Sequence, residues 1–479
     1  MGNEGFEGIS VNTNLVKLKD ITEKIGSGST PRGGESAYLD QRESFAFVRS
    51  QNVYDFQFNE DGIRYITDVD AKKLKGVHLQ PDDILLNITG DGLTFARCCL
   101  VSEDILPAAV NQHVCIIRVD KKKCLPNYLL AFLCLPQTKK YIESFNAGGS
   151  RRAITKGHIE SFEVPLLPMV IQETISRNMQ GILEKHNLNN QINQTLEQMA
   201  QTLFKSWFVD FDPVIDNALD AGNPIPEVFE TRVERRKVVR ESADFKPLSD
   251  NVRQLFPSEF EESELGWVPK GWSVTSVSEI SDILNGFAFK SKDYVTSGNF
   301  VLRTKNFSEN QVKKAHDDVF LPDKFLDSHS KYLCKPLDYH LVMVGASVGK
   351  CALIFEHHLP ALRNQNMWCF RAKDKSIASQ SFIKYMLDNL VLKNQGLASG
   401  SAREFFRKGD FGNQQVVIGS SDIQRQFEMN VLPTIEKMSL IASEVDVLTK
   451  LRDTLLPKLI SGELRLDSPE VEQTKALVE

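Results

Sequence analysis

A long-period internal repeat constrains this chain more than any other feature. Ile25-Gly26-Ser27-Gly28 returns in altered form as Ile283-Leu284-Asn285-Gly286, an offset of 283 − 25 = 258. Val48-Arg49-Ser50-Gln51-Asn52 matches Leu302-Arg303-Thr304-Lys305-Asn306 at 302 − 48 = 254. Pro81-Asp82-Asp83 with Gly90 matches Pro336-Leu337-Asp338 with Gly345 at 336 − 81 = 255. Asn111-Gln112-His113 matches Asn364-Gln365-Asn366 at 364 − 111 = 253. Ile171-Gln172 and Glu184-Lys185 match Ile423-Gln424 and Glu436-Lys437 at 423 − 171 = 252, and Gln201-Thr202-Leu203-Phe204 matches Asp453-Thr454-Leu455-Leu456 at the same offset. Each match is weak. Their shared order and slowly drifting offset argue for two copies of one module, not for a solenoid of short units.

Each copy has a β-rich part followed by a long helix. Phe45–Arg49, Ile84–Ile88 and Val114–Val119 are short apolar runs bounded by turn formers, as are Asn299–Arg303, His340–Val344 and Met367–Phe370. Helical stretches follow, at Asn127 to Phe145 and at Ser381 to Leu392. Pro168 precedes the first long helix, and Asp422 is placed to cap the second. In the first, Ile175, Met179 and Ile182, then Ile192, Leu196, Met199 and Leu203, step by three or four. In the second, Val431, Ile435, Met438, Ile441, Val445, Leu448 and Leu455 keep the same rhythm. These are seams for a helix pair, weakened in the first helix by polar Asn189 and Asn190. The boundaries expected are 1–168 and 266–420 for the β-rich parts, 169–211 and 421–463 for the helices, 212–265 for a connector and 464–479 for a tail. Within the connector, Glu230–Lys237 reads as a solvated mixed-charge helix.

The search for catalytic chemistry finds none. Gly345-Ala346-Ser347-Val348-Gly349-Lys350-Cys351 has three residues between its glycines, where a phosphate loop needs four and a hydroxyl residue after the lysine. No Gly-x-Gly-x-x-Gly and no Asn/Asp-Pro-Pro-aromatic tetrapeptide is present. His357-His358 lacks a partner motif and reads as a surface loop, so no metal is expected. None of the eight cysteines forms Cys-x-x-Cys. Met1 to Ser10 has no apolar core, so a secretory signal is not expected, and no apolar run reaches membrane-span length. Cytoplasmic, buried, reduced thiols are the expectation.

Residues suited to nucleic acid occupy repeat-equivalent places. Ser150, Arg151, Arg152 and Lys156 follow Gly148-Gly149, and Ser401, Arg403, Arg407 and Lys408 follow Gly400. Arg and Lys hold phosphate or read guanine, and Asn and Gln read adenine edges. Asn111, Gln112, Asn364 and Gln365 are therefore candidates, with the matched Arg49, Asn52, Arg303 and Lys305.

Taken together, these features resemble the specificity subunits of type I restriction-modification systems. The half-repeats, the paired Asn-Gln stretches, Gly-Gly-Ser-Arg and Gly-Ser-Ala-Arg, and Ile-Gln opening each long helix carry the resemblance. So does Leu451-Arg452-Asp453-Thr454-Leu455-Leu456-Pro457-Lys458-Leu459-Ile460-Ser461-Gly462-Glu463-Leu464, close to that family's usual ending, while Leu203–Phe208 is similar to its mid-chain helix end. The resemblance implies an α+β chain: two similar mixed α/β target-recognition domains separated by two long antiparallel helices, with an internal pseudo-two-fold repeat. It implies that each domain reads half of a bipartite double-stranded DNA site and that the helix pair sets the spacing. It further implies a chain without catalysis of its own or bound cofactor. Two modification subunits would dock on the helices and methylate adenine with S-adenosylmethionine, and restriction subunits would use ATP with Mg. A non-enzymatic interaction scaffold built on a coiled-coil pair is the alternative, and an enzyme with an unrecognised site is the third reading.

Overall fold

The computed structural model describes residues 14–42, 44–92, 94–146, 152–308, 310–315, 317–345, 347–395, 407–461 and 463–464. They divide into two compact units, one within Met1–Leu188 and Val447–Glu479, the other within Asn189–Asp446. Both long helices are cut by this division.

In the first unit, β1 (Asn14–Lys17) leads to β2 (Thr22–Ser27), β3 (Phe45–Val48), β4 (Arg64–Ile66), β5 (Ile84–Asn87), β6 (Thr89–Gly90), β7 (Cys98–Leu100), β8 (Ala108–Val110) and β9 (Val114–Val119). Helices α1 (Pro126–Leu133) and α2 (Pro136–Ser144), strands β10 (Arg152–Ala153) and β11 (Glu163–Leu166), and the long α3 (Met169–Phe208) complete the first copy. One antiparallel sheet has the order β2-β9-β5-β7, a second has the order β8-β3-β4, and β1 pairs with β11. The run Ile84–Asn87 is apolar without alternation because both faces of β5 are covered. Ile84 and Leu86 join the core under α1, and Leu85 joins the core under β3. The single helix expected over 127–145 is two, because Leu135 is extended (ψ 138°) ahead of Pro136, where a helix cannot continue.

The second unit repeats this topology. After α4 (Asp212–Ala221) and α5 (Glu230–Glu241) come β12 (Ser273–Ser276), β13 (Ser281–Asn285), β14 (Asn299–Leu302), β15 (Phe320–Leu321), β16 (Tyr339–Val342), β17 (Cys351–Leu353), β18 (Ala361–Arg363) and β19 (Met367–Ala372). Then follow α6 (Gln380–Gln395), β20 (Gln415–Ile418) and the long α7 (Ser421–Ile460). The sheet orders β13-β19-β16-β17 and β18-β14-β15, and the pair β12-β20, copy the first unit strand for strand. Even the register agrees: Ser27 faces Cys115, and Asn285 faces Trp368. Asp83 and Asp338 each immediately precede a central strand and follow a left-handed residue, Asp82 (φ 66°) or Leu337 (φ 65°). Each is held by an arginine on the neighbouring strand, Arg118 at 2.8 Å and Arg371 at 2.6–2.7 Å.

The long helices have 40 residues each. They run antiparallel: in the second unit Asn189 bonds Glu444, Asn193 bonds Met438 and Phe204 packs on Phe427. In the first unit Ile175, Met179 and Ile182 line a contact with Leu455, Leu456 and Leu459. Val431, Ile435, Met438, Ile441 and Leu448 are buried, while Leu196, Leu203 and Val445 are half-buried. Two expected seam residues are elsewhere: Ile192 is 36% and Met199 61% exposed. The polar Asn189 and Asn193 take the inward face instead. Their amides donate across the seam, at 2.8 Å to Glu444 Oε2 and at 3.3 Å to the Met438 carbonyl, so burial leaves those donors paired. The cap of α7 also differs from expectation. Ser420 Oγ accepts from the Ile423 amide at 3.4 Å, and Asp422 lies in the first turn.

The connector is folded. Arg232, Arg236 and Arg240 of α5 pair with Asp212, Asp216 and Asp220 of α4, each helix contributing every fourth residue. The expected solvated helix thus has one fully paired face. Among the described residues no helix is long and apolar enough to cross a membrane. All eight cysteines are buried free thiols.

Candidate nucleic-acid interface

The Asn-Gln segments are turns held in the same way in both units. Gly28 and Gly286 pass so close to the carbonyls of Asn111 and Asn364 that a Cβ at either glycine would collide with them. The Asn111 amide donates to Val48 O and the Asn364 amide to Leu302 O, both at 2.9 Å. Each asparagine turns its side-chain oxygen back on its own turn: Asn111 Oδ1 accepts from the His113 amide at 3.1 Å, Asn364 Oδ1 from the Gln365 amide at 2.7 Å. Asn111 is buried and Asn364 half-buried, whereas Gln112 and Gln365 are exposed. Of each pair, the glutamine is the residue presented outward.

The other four candidates, Arg49, Asn52, Arg303 and Lys305, lie in loops braced by Asn52 and by its repeat partner Asn306. Asn52 and Asn306 are fully buried, and each Oδ1 accepts from the backbone amide of its paired arginine, Arg49 or Arg303, at 3.0 Å. Their Nδ2 groups donate to Asn59 O at 2.9 Å and Lys313 O at 3.1 Å. Arg49 donates to Gly62 O at 2.7 Å, and Arg303 to Asp317 O at 2.9 Å. Lys305 lies 2.5 Å from an Asp317 carboxylate oxygen. Asn52 and Asn306 are buried with their amides in use, and Arg49, Arg303 and Lys305 are engaged within their own domains.

The basic segments are only partly visible. Ser150, Arg151, Ser401 and Arg403 lie outside the described residues. Arg152 is half-buried, lies against Gly92 and pairs with Glu143 at 2.7 Å. Lys156 is exposed beside Glu160 at 3.4 Å. Arg407 and Lys408 are exposed, and Lys408 shares an open cleft of about 480 Å³ with Lys373, Ser278 and Asp282.

Three groups of metal-type side chains occur among the described residues: Asp55 with Cys98 and Cys134, Asp338 with His340 and Cys369, and His357 with His358 and Asp446. None has the donor chemistry of a metal site. The Lys139 ammonium occupies the first, 2.5 Å from Asp55 and 3.9 Å from Cys98. In the second, both Asp338 oxygens belong to Arg371. The third corrects the reading of His357-His358 as a surface loop: His358 is buried, and His357 lies 3.7 Å from Asp446 of α7. His358 Nδ1 accepts the Phe355 amide at 3.1 Å, which places its proton on Nε2 and removes the lone pair a metal would need. Desolvation holds His357 down to about 4 and His358 to about 2.

Sequence reasoning passed over Arg118 and Arg371, although 371 − 118 = 253 places them on the repeat. It also passed over Lys384 of α6. This ammonium is buried between Glu197 of α3 and Asp388, with burial opposing its charge and the two carboxylates raising its pKa. Nothing in the local pattern around Lys384 signals this partner, which lies 187 residues away.

The fold is that of a duplicated mixed-domain protein, each copy carrying an outward-facing polar turn at the same place. Residues 11–198 and 269–427 match the type I restriction modification DNA specificity domain, and the chain belongs to that family. It is 25% identical over 443 residues to the type I restriction enzyme HindI specificity subunit of Haemophilus influenzae, spanning 87% of this chain and 94% of that one. It is 23% identical over 461 residues to the MjaIX specificity subunit of Methanocaldococcus jannaschii, spanning 95% and 94%. A crystal structure of the type I system S subunit from M. genitalium superposes with a TM-score of 0.50 at 13% identity, covering 94% of this chain and 96% of that one, and so shares the fold. The role is that of a DNA specificity subunit.

Proposed function

We propose that each mixed domain reads one half of a bipartite DNA site, and that the two long helices carry the modification subunits and fix the interval between the half-sites. The observation that carries this reading is the duplication itself. Two copies of one strand order carry the same turn between the same two strands, with Gln112 and Gln365 outward at the same place. A pseudo-symmetric protein suits duplex DNA and two copies of one partner. In this reading the chain holds no cofactor and performs no catalysis. Partner subunits use S-adenosylmethionine to methylate adenine, and ATP with Mg to cleave. The net charge of −6 supports sharing the phosphate contact with those partners, since isolated DNA binders are strongly basic.

Exchanging residues 266–420 for those of a relative tests the reading. Mapping of methylated adenines across the host genome should show one half of the motif changed and the other kept. A change in both halves, or in neither, refutes it.

A further inference from the structure

The two domains hold one turn in the same frame but arm it with different side chains. The Ile88 amide donates to His113 O at 3.0 Å in the first, and the Met343 amide to Asn366 O at 3.1 Å in the second. His113 and Asn366 therefore occupy one position of the frame (366 − 113 = 253), and Thr89 and Val344 another (344 − 89 = 255). Around them the frame is constant: Gly28 and Gly286 lie behind the turn, and Asp83–Arg118 and Asp338–Arg371 close the far end of the same strands.

The tips differ in chemistry. In the first domain Thr89 Oγ1 and His113 Nδ1 are 2.6 Å apart, next to exposed Gln112. Strand β6 carries Thr89 and pairs with β10, so Arg152 stands across the ladder from Gly90 on the same edge. In the second domain the hydroxyl-imidazole pair is replaced by Val344, 38% exposed, and by exposed Asn366 beside Gln365. A frame that two domains share cannot distinguish two different half-sites. The side chains that differ on it can.

We infer that Thr89 and His113 in the first domain, and Val344 and Asn366 in the second, are specificity-determining residues, each pair set beside a shared glutamine, Gln112 or Gln365. This rests on the reading that each domain takes one half-site. The second set is matched to an A·T pair in the major groove. Side-chain amides meet the donor and acceptor on the adenine edge, and the Val344 methyls meet the thymine C5-methyl. The first set has one methyl, on Thr89, where Val344 has two, and adds an imidazole and a hydroxyl, a more polar reader of base-edge donors and acceptors.

The test uses the full chain assembled with its modification subunits, carrying Val344→Ser, His113→Ala, or the transplant Thr89→Val with His113→Asn. Methylated-adenine mapping is combined with binding to duplexes varied one base pair at a time, and melting temperatures report folding. Val344→Ser should lower discrimination at one A·T position of the second domain's half-site by about ten- to hundred-fold and leave the other half intact. His113→Ala should relax one position of the opposite half. The transplant should move that position toward A·T, which keeps the inference testable if a single variant folds poorly. Unchanged motifs in folded variants, or an equal loss of binding to every sequence, overturn the inference. If the unmodified complex itself yields no bipartite motif, the underlying reading fails instead.

Discussion

Asn306 shows what a repeat-matched residue is for. It is buried, with its oxygen on the Arg303 amide and its nitrogen on Lys313 O and Asp318. Asn52 does the same work in the first domain. Replacing Asn306 with Ala leaves the Arg303 amide and the Lys313 carbonyl without a side-chain partner, at about 1–3 kcal/mol. Chemical denaturation should show that loss, while the half-site motif stays as it was. A relaxed motif with unchanged stability would instead place Asn306 on the DNA surface. The sequence made this pair visible, and here identity between the copies marks a bracing residue. Gln112 and Gln365 were legible as polar residues in a turn. The repeat aligned His113 with Asn366, but the contact of His113 with Thr89, on which their difference turns, needed the structure.

At the level of the helices, the spacing of apolar residues located both seams and misassigned part of one. Periodicity counts apolar side chains, so it chose Ile192 and Met199 and discounted Asn189, whereas the amides of Asn189 and Asn193 bond across to α7. What periodicity leaves over is informative. Leu188 of α3 and Leu440 of α7 are 55% and 68% exposed and stand at one repeat position, 440 − 188 = 252. Under the proposed function this matched pair faces the two modification subunits. Leu188→Glu with Leu440→Glu should shift stability by no more than about 0.5 kcal/mol per site. The same double variant should reduce recovery of modification subunits in co-purification. Full recovery would move the docking surface off these residues. Ile435→Asp is the contrasting change: a carboxylate in the buried seam should cost several kcal/mol, roughly 3 or more, and collapse the second unit.

For the molecule as a whole, acid should act on the second unit through its buried histidines. His340 is held down to about 4 by desolvation within its core, with Arg363 and Arg371 adding to the effect and Asp338 opposing it. His357 and His358 are depressed as well. A depressed histidine gives stability that is complete above its unfolded value of 6.5 and is lost as pH falls, because the unfolded chain takes the proton first. Asp446, raised by burial, works in the opposite direction. Between pH 7.5 and 4.5, His340 alone should account for roughly 2–3 kcal/mol of lost stability. Calorimetry should find His340→Leu, which installs the leucine that the first domain carries at position 85, less sensitive to acid than the parent. Equal sensitivity would assign the effect to other groups. The division of the chain has one more consequence, for its synthesis. The first unit contains residues up to 188 and again from 447, so it must wait for 447 − 188 = 259 further positions before Leu455 and Leu459 can cover Ile175 and Met179. At roughly 5–20 residues per second that is about 13–50 s of translation. During that interval the apolar stripe of the nascent helix is bare, open to a chaperone or to the wrong neighbour.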